Sequence, residues 1–422
     1  MVCPFFKKLG VTVLDSPEIN AFALPGGYVY VTRGIMAYME SEADLAGVIG
    51  HEIGHVTARH GAQRATSQQH AGLGVFAANV LGAVLESQGY GGAGQLANQV
   101  SQTVAAGYIA SYGRDQELQA DGLGAEYLAR NHYDPQNMVE VITVLKNQER
   151  YAADQAKAEG KPAPTGGGWL ASHPSNDQRL QQITERAAQY GKSTKYADDG
   201  HERFLKLMQG LAFGESAEQG LVRGRNFYHS ALGIALTAPV SWRLQNSAEQ
   251  LALMNATGDA ALILKPVPPG AGKTHAEVIK NGFKPTQGKT EAATLNGLQA
   301  TRFSGARVDA QGKTQSLEFT LVNGPDSKIY VLQQAAKDAA TLQANRATLR
   351  EAESSFRPMN AQDRAAAKPW VIRLQPFPKG GFAELAKRSP LPNAESQLRL
   401  VNGFYGGGEP KAGQLVKVVE PG

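Results

Sequence analysis

The sequence predicts an α+β protein of more than one folding unit, and three observations carry that reading. Its 422 residues exceed what a single ordinary core accommodates. Helical periodicity dominates to about residue 213, around a few short strand-like runs, and gives way near residue 225 to short alternating runs. A further change in character follows Arg357-Pro358. The expected organisation is a mainly helical domain with a small sheet over residues 1–215, an α+β module over 216–357, a linker over 358–368 and a small terminal module over 369–422.

Composition narrows the class of function. Apolar residues make up 42% and charged residues 19%, which favours neither wholesale disorder nor a membrane-embedded chain. The formal charge of +4 is spread without Lys/Arg runs or interleaved aromatics, so nucleic acid is not an expected partner. One cysteine, Cys3, excludes an intrachain disulfide framework. The opening MVCPFFKKLG lacks the basic region and apolar run of a secretory signal, yet VTVLD (11–15) follows almost at once. A missing start is the expectation. The longest apolar tract, GLGVFAANVLGAVL at 72–85, is shorter than the roughly 20 residues of a spanning helix. No transmembrane segment is expected, and this tract reads as a hairpin helix or interfacial flap.

Taken in order, YVYVT (28–32) is a β-branched and aromatic run between Gly26-Gly27 and Gly34, hence a strand. Ser41, with Asp44 three residues on, caps a helix whose Leu45, Ile49, Ile53 and Val56 share one stripe. GYGGAGQ (89–95) separates two helical segments, the second leading through Gly113 into the helix RDQELQADGLGAEYLARN. Residues 152–168, ending KPAPTGGG, read as a loop. The second module alternates GIALTAP, ALILKPV, QATRFSG, SLEFTLV and KIYVLQQ with helices at about 275–282 and 340–354. The terminus carries WVIRLQPF, a helix FAELAKR and a strand LVKVV. No repeat of 20–50 residues is present. PPGAGKT (268–274) resembles a phosphate loop only in part, because the first glycine of GxxxxGK[ST] would fall at Val267. Its prolines fit a turn, and nucleotide binding is not expected.

The chemistry is concentrated in VIGHEIGHVTARHG (48–61). Residues four apart on a helix share a face, so His51 and His55 can present imidazole nitrogens to one ion. Glu52 stands beside that pair rather than in it, in position to take a proton from a water. HExxH thus divides two ligands from a general base, the requirement of zinc-assisted amide hydrolysis. Gly50 and Gly54, costly in a helix, imply a close neighbour. A third ligand is required. Glu117 in ELQAD is the best candidate, with Glu126 and Asp44 competing, and Asp121 one turn further could accept the distal N–H of a ligand histidine.

NAFALPGGYVYVTRG (20–34), HEIGHVTARH (51–60), ELQAD (117–121) and SHPSNDQR (172–179) together resemble the M48 peptidases, which include heat-shock membrane proteases, periplasmic assembly proteases and CAAX prenyl endopeptidases. The resemblance implies a zincin-type metalloprotease domain with one Zn2+ per chain on His51, His55 and Glu117, Glu52 as base and Asp121 in support. It gives His173 a catalytic place, donating to the oxyanion or approaching the metal and blocking it at rest, with Arg179 assisting or anchoring its segment. His60 and His70 read as surface residues. An exposed YVYVT edge would hold an extended peptide substrate. The absence of long apolar spans brings the chain nearer the soluble envelope members, which implies a periplasmic or cell-envelope location, and folded or misfolded cell-envelope proteins are the expected substrates.

Residues 204–242 resemble the connector of longer M48 proteins. The segment from WVIRLQPF to KAGQLVKVV resembles a LysM module, a small βααβ fold that binds N-acetylglucosamine glycans such as peptidoglycan. Asn402 and Gly413-Gln414 fall where expected, whereas PKGGF replaces the usual Gly-Asp-Thr. The rival functions are an envelope chaperone or peptidoglycan-binding protein with a latent zinc site, and a metalloenzyme cleaving cell-wall amide crosslinks.

Overall fold

The computed structural model describes residues 10–24, 26–63, 112–158, 160, 173, 177–190, 196, 198–247, 249–308, 312, 314–325 and 327–422. The apolar tract 72–85, the glycine run 89–95, His70 and the loop 161–168 lie outside the described residues. The chain forms two compact units, Met1–Gly214 with Trp370–Pro421, and Glu215–Pro369.

The first unit begins with strands β1 (Gly10–Leu14), β2 (Ala21–Leu24) and β3 (Tyr28–Thr32), in the order β1-β3-β2. β1 runs parallel to β3 from Gly10↔Tyr28 to Leu14↔Thr32, and β2 pairs antiparallel on its other side. YVYVT is therefore the central strand, not the expected edge: both its backbone sides are paired, while Val29 and Val31 point into the core. The strand lying along the HExxH helix is β2.

The helices are α1 (Arg33–Met36), α2 (Glu42–Thr57), α3 (Arg114–Arg130), α4 (Gln136–Ala158), α5 (Asp177–Tyr190) and α6 (His201–Met208). Ser41 caps α2, its hydroxyl accepting from Asp44 N at 3.0 Å, and the Asp44 carboxylate accepts in turn from Glu40 N. The stripe Leu45, Ile49, Ile53 and Val56 is only partly covered; the fully buried face of α2 carries Val48, Gly50, His51, Glu52, Gly54 and His55. Leu45, Ile49 and Ile53 pack against the core from its margin, while the polar groups of this helix are the more deeply buried. α4 runs to Ala158, so residues 152–158 are helix rather than loop. Ala152, Ala153, Gln155, Ala156 and Lys157 are good helix formers, and they outweigh the loop-like composition that follows.

The second unit is α+β. Strands β5 (Leu221–Arg223), β6 (Asn226–His229), β7 (Ile234–Thr237) and β15 (Arg357–Pro358) form a four-stranded sheet. β8 (Arg243–Asn246), β9 (Leu251–Met254), β10 (Ala260–Pro266), β11 (Gln287–Leu295), β12 (Leu298–Val308), β13 (Thr314–Asn323) and β14 (Ile329–Ala336) form an antiparallel sheet ordered β11-β12-β13-β14-β10-β9-β8. Helices α7 (His275–Val278), α8 (Ala339–Ser354) and α9 (Ala361–Ala366) complete it. Leu253, Leu262, Leu332, Leu349 and Phe356 lie in its core. Residues 358–368, expected as a linker, are structured. Asn360 and Asp363 form a capping box on α9, and Arg357 holds both Asp363 oxygens at 3.1 and 2.7 Å.

The chain leaves the first unit through β4 (Ala212–Phe213) and re-enters through β16 (Trp370–Pro376), which pair antiparallel at Phe213↔Trp370. Helices α10 (Gly381–Ala386) and α11 (Ala394–Val401) follow, then β17 (Leu415–Pro421), antiparallel to β16. The order of this segment is βααβ. It was expected as a module of its own, but Ile372, Phe382, Leu398, Val401 and Val418 share one core with Val29, Ile35, Met39, Val48 and Ile142. Lys417 is fully buried at this junction. Its ammonium donates to Ala37 O at 2.9 Å and Met39 O at 2.8 Å and sits 2.8 Å from Glu40 Oε1. Among the described residues no helix is long and apolar enough to cross a membrane.

Candidate metal centre

Two helices meet almost backbone to backbone to build the site. A methyl on Gly50 would stand 3.3 Å from Gly124 Cα, and one on Gly54 would stand 3.1 Å from Ala120 O. Small residues at both crossings let α2 and α3 approach at the short end of helix packing. That approach sets His51 and His55 directly against Glu117 and Asp121, whose four-residue spacing puts both carboxylates on the facing side of α3. The rivals for Glu117 lie elsewhere: Asp44 bonds Glu40 N and the Asn137 amide, and Glu126 pairs with Arg130.

His51 Nε2 lies 3.0 Å from His55 Nε2 and 3.1 Å from His173 Nδ1. Glu117 Oε1 is 3.0 Å from His173 Nδ1 and 3.4 Å from His55 Nε2, and Oε2 is 3.5 Å from His51 Nε2. These four side chains place one ligand atom each within 4.8 Å of one another, all buried. Zn–N and Zn–O bonds of about 2.0–2.1 Å define a tetrahedron with edges of about 3.3 Å, so the observed separations fit such an ion. Glu52 stands beside the cluster, its Oε1 3.4 Å from His173 Nε2.

Charge supports the same fit. Glu52, Glu117 and Asp121 are buried carboxylates, and Arg179 is the one buried cation among them. Arg179 donates from Nε and Nη2 to the two Asp121 oxygens, both at 2.8 Å, and its Nη1 lies 2.9 Å from Glu117 Oε2 and donates to His173 O at 3.3 Å. Two negative charges remain for a divalent cation to balance. The same charges act on His51. Burial alone would depress its pKa, but Asp121, Glu117 and Glu52 outweigh burial and raise it. Burial pushes His55 down to about 2, so this imidazole is neutral, as a metal ligand must be. Burial works upward on Glu117, yet the surrounding histidines hold it well below the usual carboxylate range. Asp121 is likewise held low against burial by Arg179.

The partners behind these side chains are also placed. His51 Nδ1 faces Asp121 Oδ1 at 2.9 Å, an arrangement that leaves Nε2 as the lone-pair nitrogen toward the cluster. His60, read from sequence as a surface residue, is instead fully buried, with its Nδ1 2.9 Å from His55 Nδ1. Tyr112, which the sequence did not single out, stacks on the His55 ring at 3.7 Å between centroids and 18° between planes. The residue count from His55 to His60 does not match a helical repeat, so periodicity gave no signal for that contact.

Residues 5–187 match the family model described as Peptidase family M48. The chain is 33% identical over 177 residues to the beta-barrel assembly-enhancing protease of Yersinia pestis, covering 42% of this chain and 34% of that one. It is 31% identical over 177 residues to the protein of the same name from Escherichia coli (strain K12), covering 42% and 34%. It is 28% identical over 201 residues to the mitochondrial metalloendopeptidase OMA1 of Arabidopsis thaliana, covering 46% and 36%. The chain thus spans about a third of the length of these three curated relatives.

Proposed function

We propose that this chain, whose residues 5–187 match Peptidase family M48, is a zinc-dependent metalloendopeptidase that hydrolyses peptide bonds of unfolded cell-envelope proteins. The observation that carries the reading is the convergence of His51, His55, Glu117 and His173 on one point, with Glu52 at its side. A zinc ion held by His51, His55 and Glu117 would act as a Lewis acid and bring the pKa of water near 7. Glu52 takes the proton of the attacking water and passes it to the departing amine. Asp121 fixes the His51 ring, and Arg179 locks Asp121, Glu117 and the His173 carbonyl into one frame.

His173 stands where a catalytic site keeps its open position, with Nδ1 against both His51 and Glu117. With His173 in that position a bound ion would be closed to substrate, and turnover would require the ring to swing away. Once displaced, its ring can donate to the oxyanion of the peptide undergoing attack. Substrate pairing belongs to β2 rather than YVYVT, because β2 is the edge strand beside α2 and no other described strand covers its outer side.

Relatives named as assembly-enhancing proteases of bacterial β-barrels support a periplasmic or envelope setting. The βααβ order of the terminal segment supports the LysM-like reading and, with it, peptidoglycan as a second partner. Sedimentation of the protein with purified peptidoglycan tests that part. The catalytic reading is tested by casein hydrolysis with the zinc-loaded protein beside Glu52→Gln, with zinc assayed in both. A drop of about 10²–10⁴-fold with zinc retained is expected; equal, negligible turnover in both would point to a latent site.

A further inference from the structure

His55 requires an orienting partner as His51 does, and among the described residues the partner that its Nδ1 faces is not a carboxylate. Its Nε2 points to the cluster, so its Nδ1 carries the proton, and that nitrogen lies 2.9 Å from His60 Nδ1. His60 in turn directs Nε2 to Gln119 Oε1 at 2.9 Å. A carboxamide oxygen only accepts, so His60 Nε2 bears a hydrogen and its Nδ1 is left as an acceptor. The protons are then consistent along the whole line: His55 Nδ1–H donates to His60, and His60 Nε2–H donates to Gln119.

The backbone is shaped for this contact. α2 ends at Thr57, and Arg59 adopts φ 58°, a left-handed conformation that glycine ordinarily supplies at a helix C-terminus. The turn folds His60 back beneath the helix it has just left, to full burial. A strained non-glycine residue next to a buried polar group is a feature that surrounding structure must maintain. Charge explains why the partner is an imidazole. With Glu52, Glu117 and Asp121 set against Arg179, a divalent ion neutralises the site; a second orienting carboxylate would leave it negative.

We infer that His60, held by Gln119, is a positioning residue that fixes the tautomer and ring plane of His55 for metal binding. This rests on the zinc reading of the site. Gln119 is exposed on α3, so its replacement spares the core, while Gln at position 60 keeps an acceptor for His55.

The test titrates zinc against a competing chelator, and records the Co2+ ligand-field spectrum, for the full chain and for His60→Phe, His60→Gln and Gln119→Met. His60→Phe should weaken zinc about 10–100-fold and alter the cobalt spectrum, with His60→Gln recovering most of the loss and Gln119→Met losing a few-fold. Thermal melting of the metal-free proteins separates folding from positioning, and Gln119→Met keeps the test informative if His60→Phe does not fold. Wild-type affinity and spectrum in His60→Phe and Gln119→Met would overturn the relay alone. A wild-type chain that binds no zinc, or binds it unchanged in His51→Ala, would overturn both the relay and the metal reading.

Discussion

Arg179 grips Asp121 through two parallel bonds of 2.8 Å, Nε to Oδ2 and Nη2 to Oδ1, at a position with no solvent exposure. The fork is specific to a guanidinium. Arg179→Lys keeps the charge but cannot span both oxygens while reaching Glu117, so zinc affinity should fall at least several-fold. Arg179→Met leaves buried carboxylates uncompensated and should cost about 3–5 kcal/mol of stability. Urea unfolding and zinc content of the two variants check this; wild-type stability and zinc affinity in Arg179→Lys would mean that the charge suffices and the fork is irrelevant.

His173 offers the opposite sign. Removing it with His173→Ala opens the fourth position while leaving His51, His55 and Glu117 in place. Casein hydrolysis is expected to rise, because relief of the occupied fourth position outweighs loss of one oxyanion donor, and zinc should stay bound; a fall in hydrolysis with zinc retained would show that the donor role dominates. A variant that loses both zinc and activity would show that His173 is an obligatory ligand instead.

Gly54→Ala tests the helix contact. The added methyl would meet Ala120 O at 3.1 Å and Ala120 Cα at 3.2 Å, so α2 and α3 must separate by a few tenths of an ångström. Overpacking of this kind costs about 1–3 kcal/mol, and here it also moves His55 relative to Glu117. A lowered melting temperature together with weaker zinc binding is expected. An alanine variant with unchanged values for both would remove the close approach from the account of the site.

The pH dependence to examine belongs to Glu140. Burial, then the Asp44 carboxylate, with Asp199 and Glu40 adding, raises its pKa from 4.5 to about 7. Between those values the folded chain holds a proton that the unfolded chain has released, so stability falls as pH rises from about 4.5 to about 7. Glu140→Gln removes the effect. Its melting temperature should match wild type near pH 4 and exceed it by a few degrees at pH 8; a constant difference across that range would contradict the assignment.

Lys417 and Glu40 form the last test. Lys417→Met strands Glu40 beside Asp44 and should destabilise by about 3–5 kcal/mol, whereas adding Glu40→Gln should restore part of the loss. Strict additivity of the two changes in urea melts would show that the pair does not act together.

What could be read from the sequence was local and periodic. Spacing alone placed His51 with His55 and Glu117 with Asp121, because four residues complete about one helical turn. Relations set by an irregular turn or a distant strand were hidden. His60 reaches His55 only through the left-handed Arg59, and a lysine in a strand gives no sign that Ala37, Met39 and Glu40 will enclose it. The centrality of YVYVT was equally silent, since its pattern is the same whether one neighbour pairs with it or two. The deeper burial of His51, Glu52 and His55 was also hidden, because Leu45, Ile49, Ile53 and Val56 outscore two histidines and a glutamate on any hydrophobic count.

The shared core of the first unit also orders events during biosynthesis. Its packing is completed by β16, α10, α11 and β17, which a ribosome makes after everything else in the described chain. The histidines and carboxylates of the centre are all translated by residue 179, yet the layer that supports them through Val48, Met39 and Lys417 waits until the far strand emerges. A nascent chain arrested near residue 400 should thus remain sensitive to added trypsin where a chain carried through residue 422 resists it. The cluster, translated early, thus gains its supporting layer only once Leu415–Pro421 has been made.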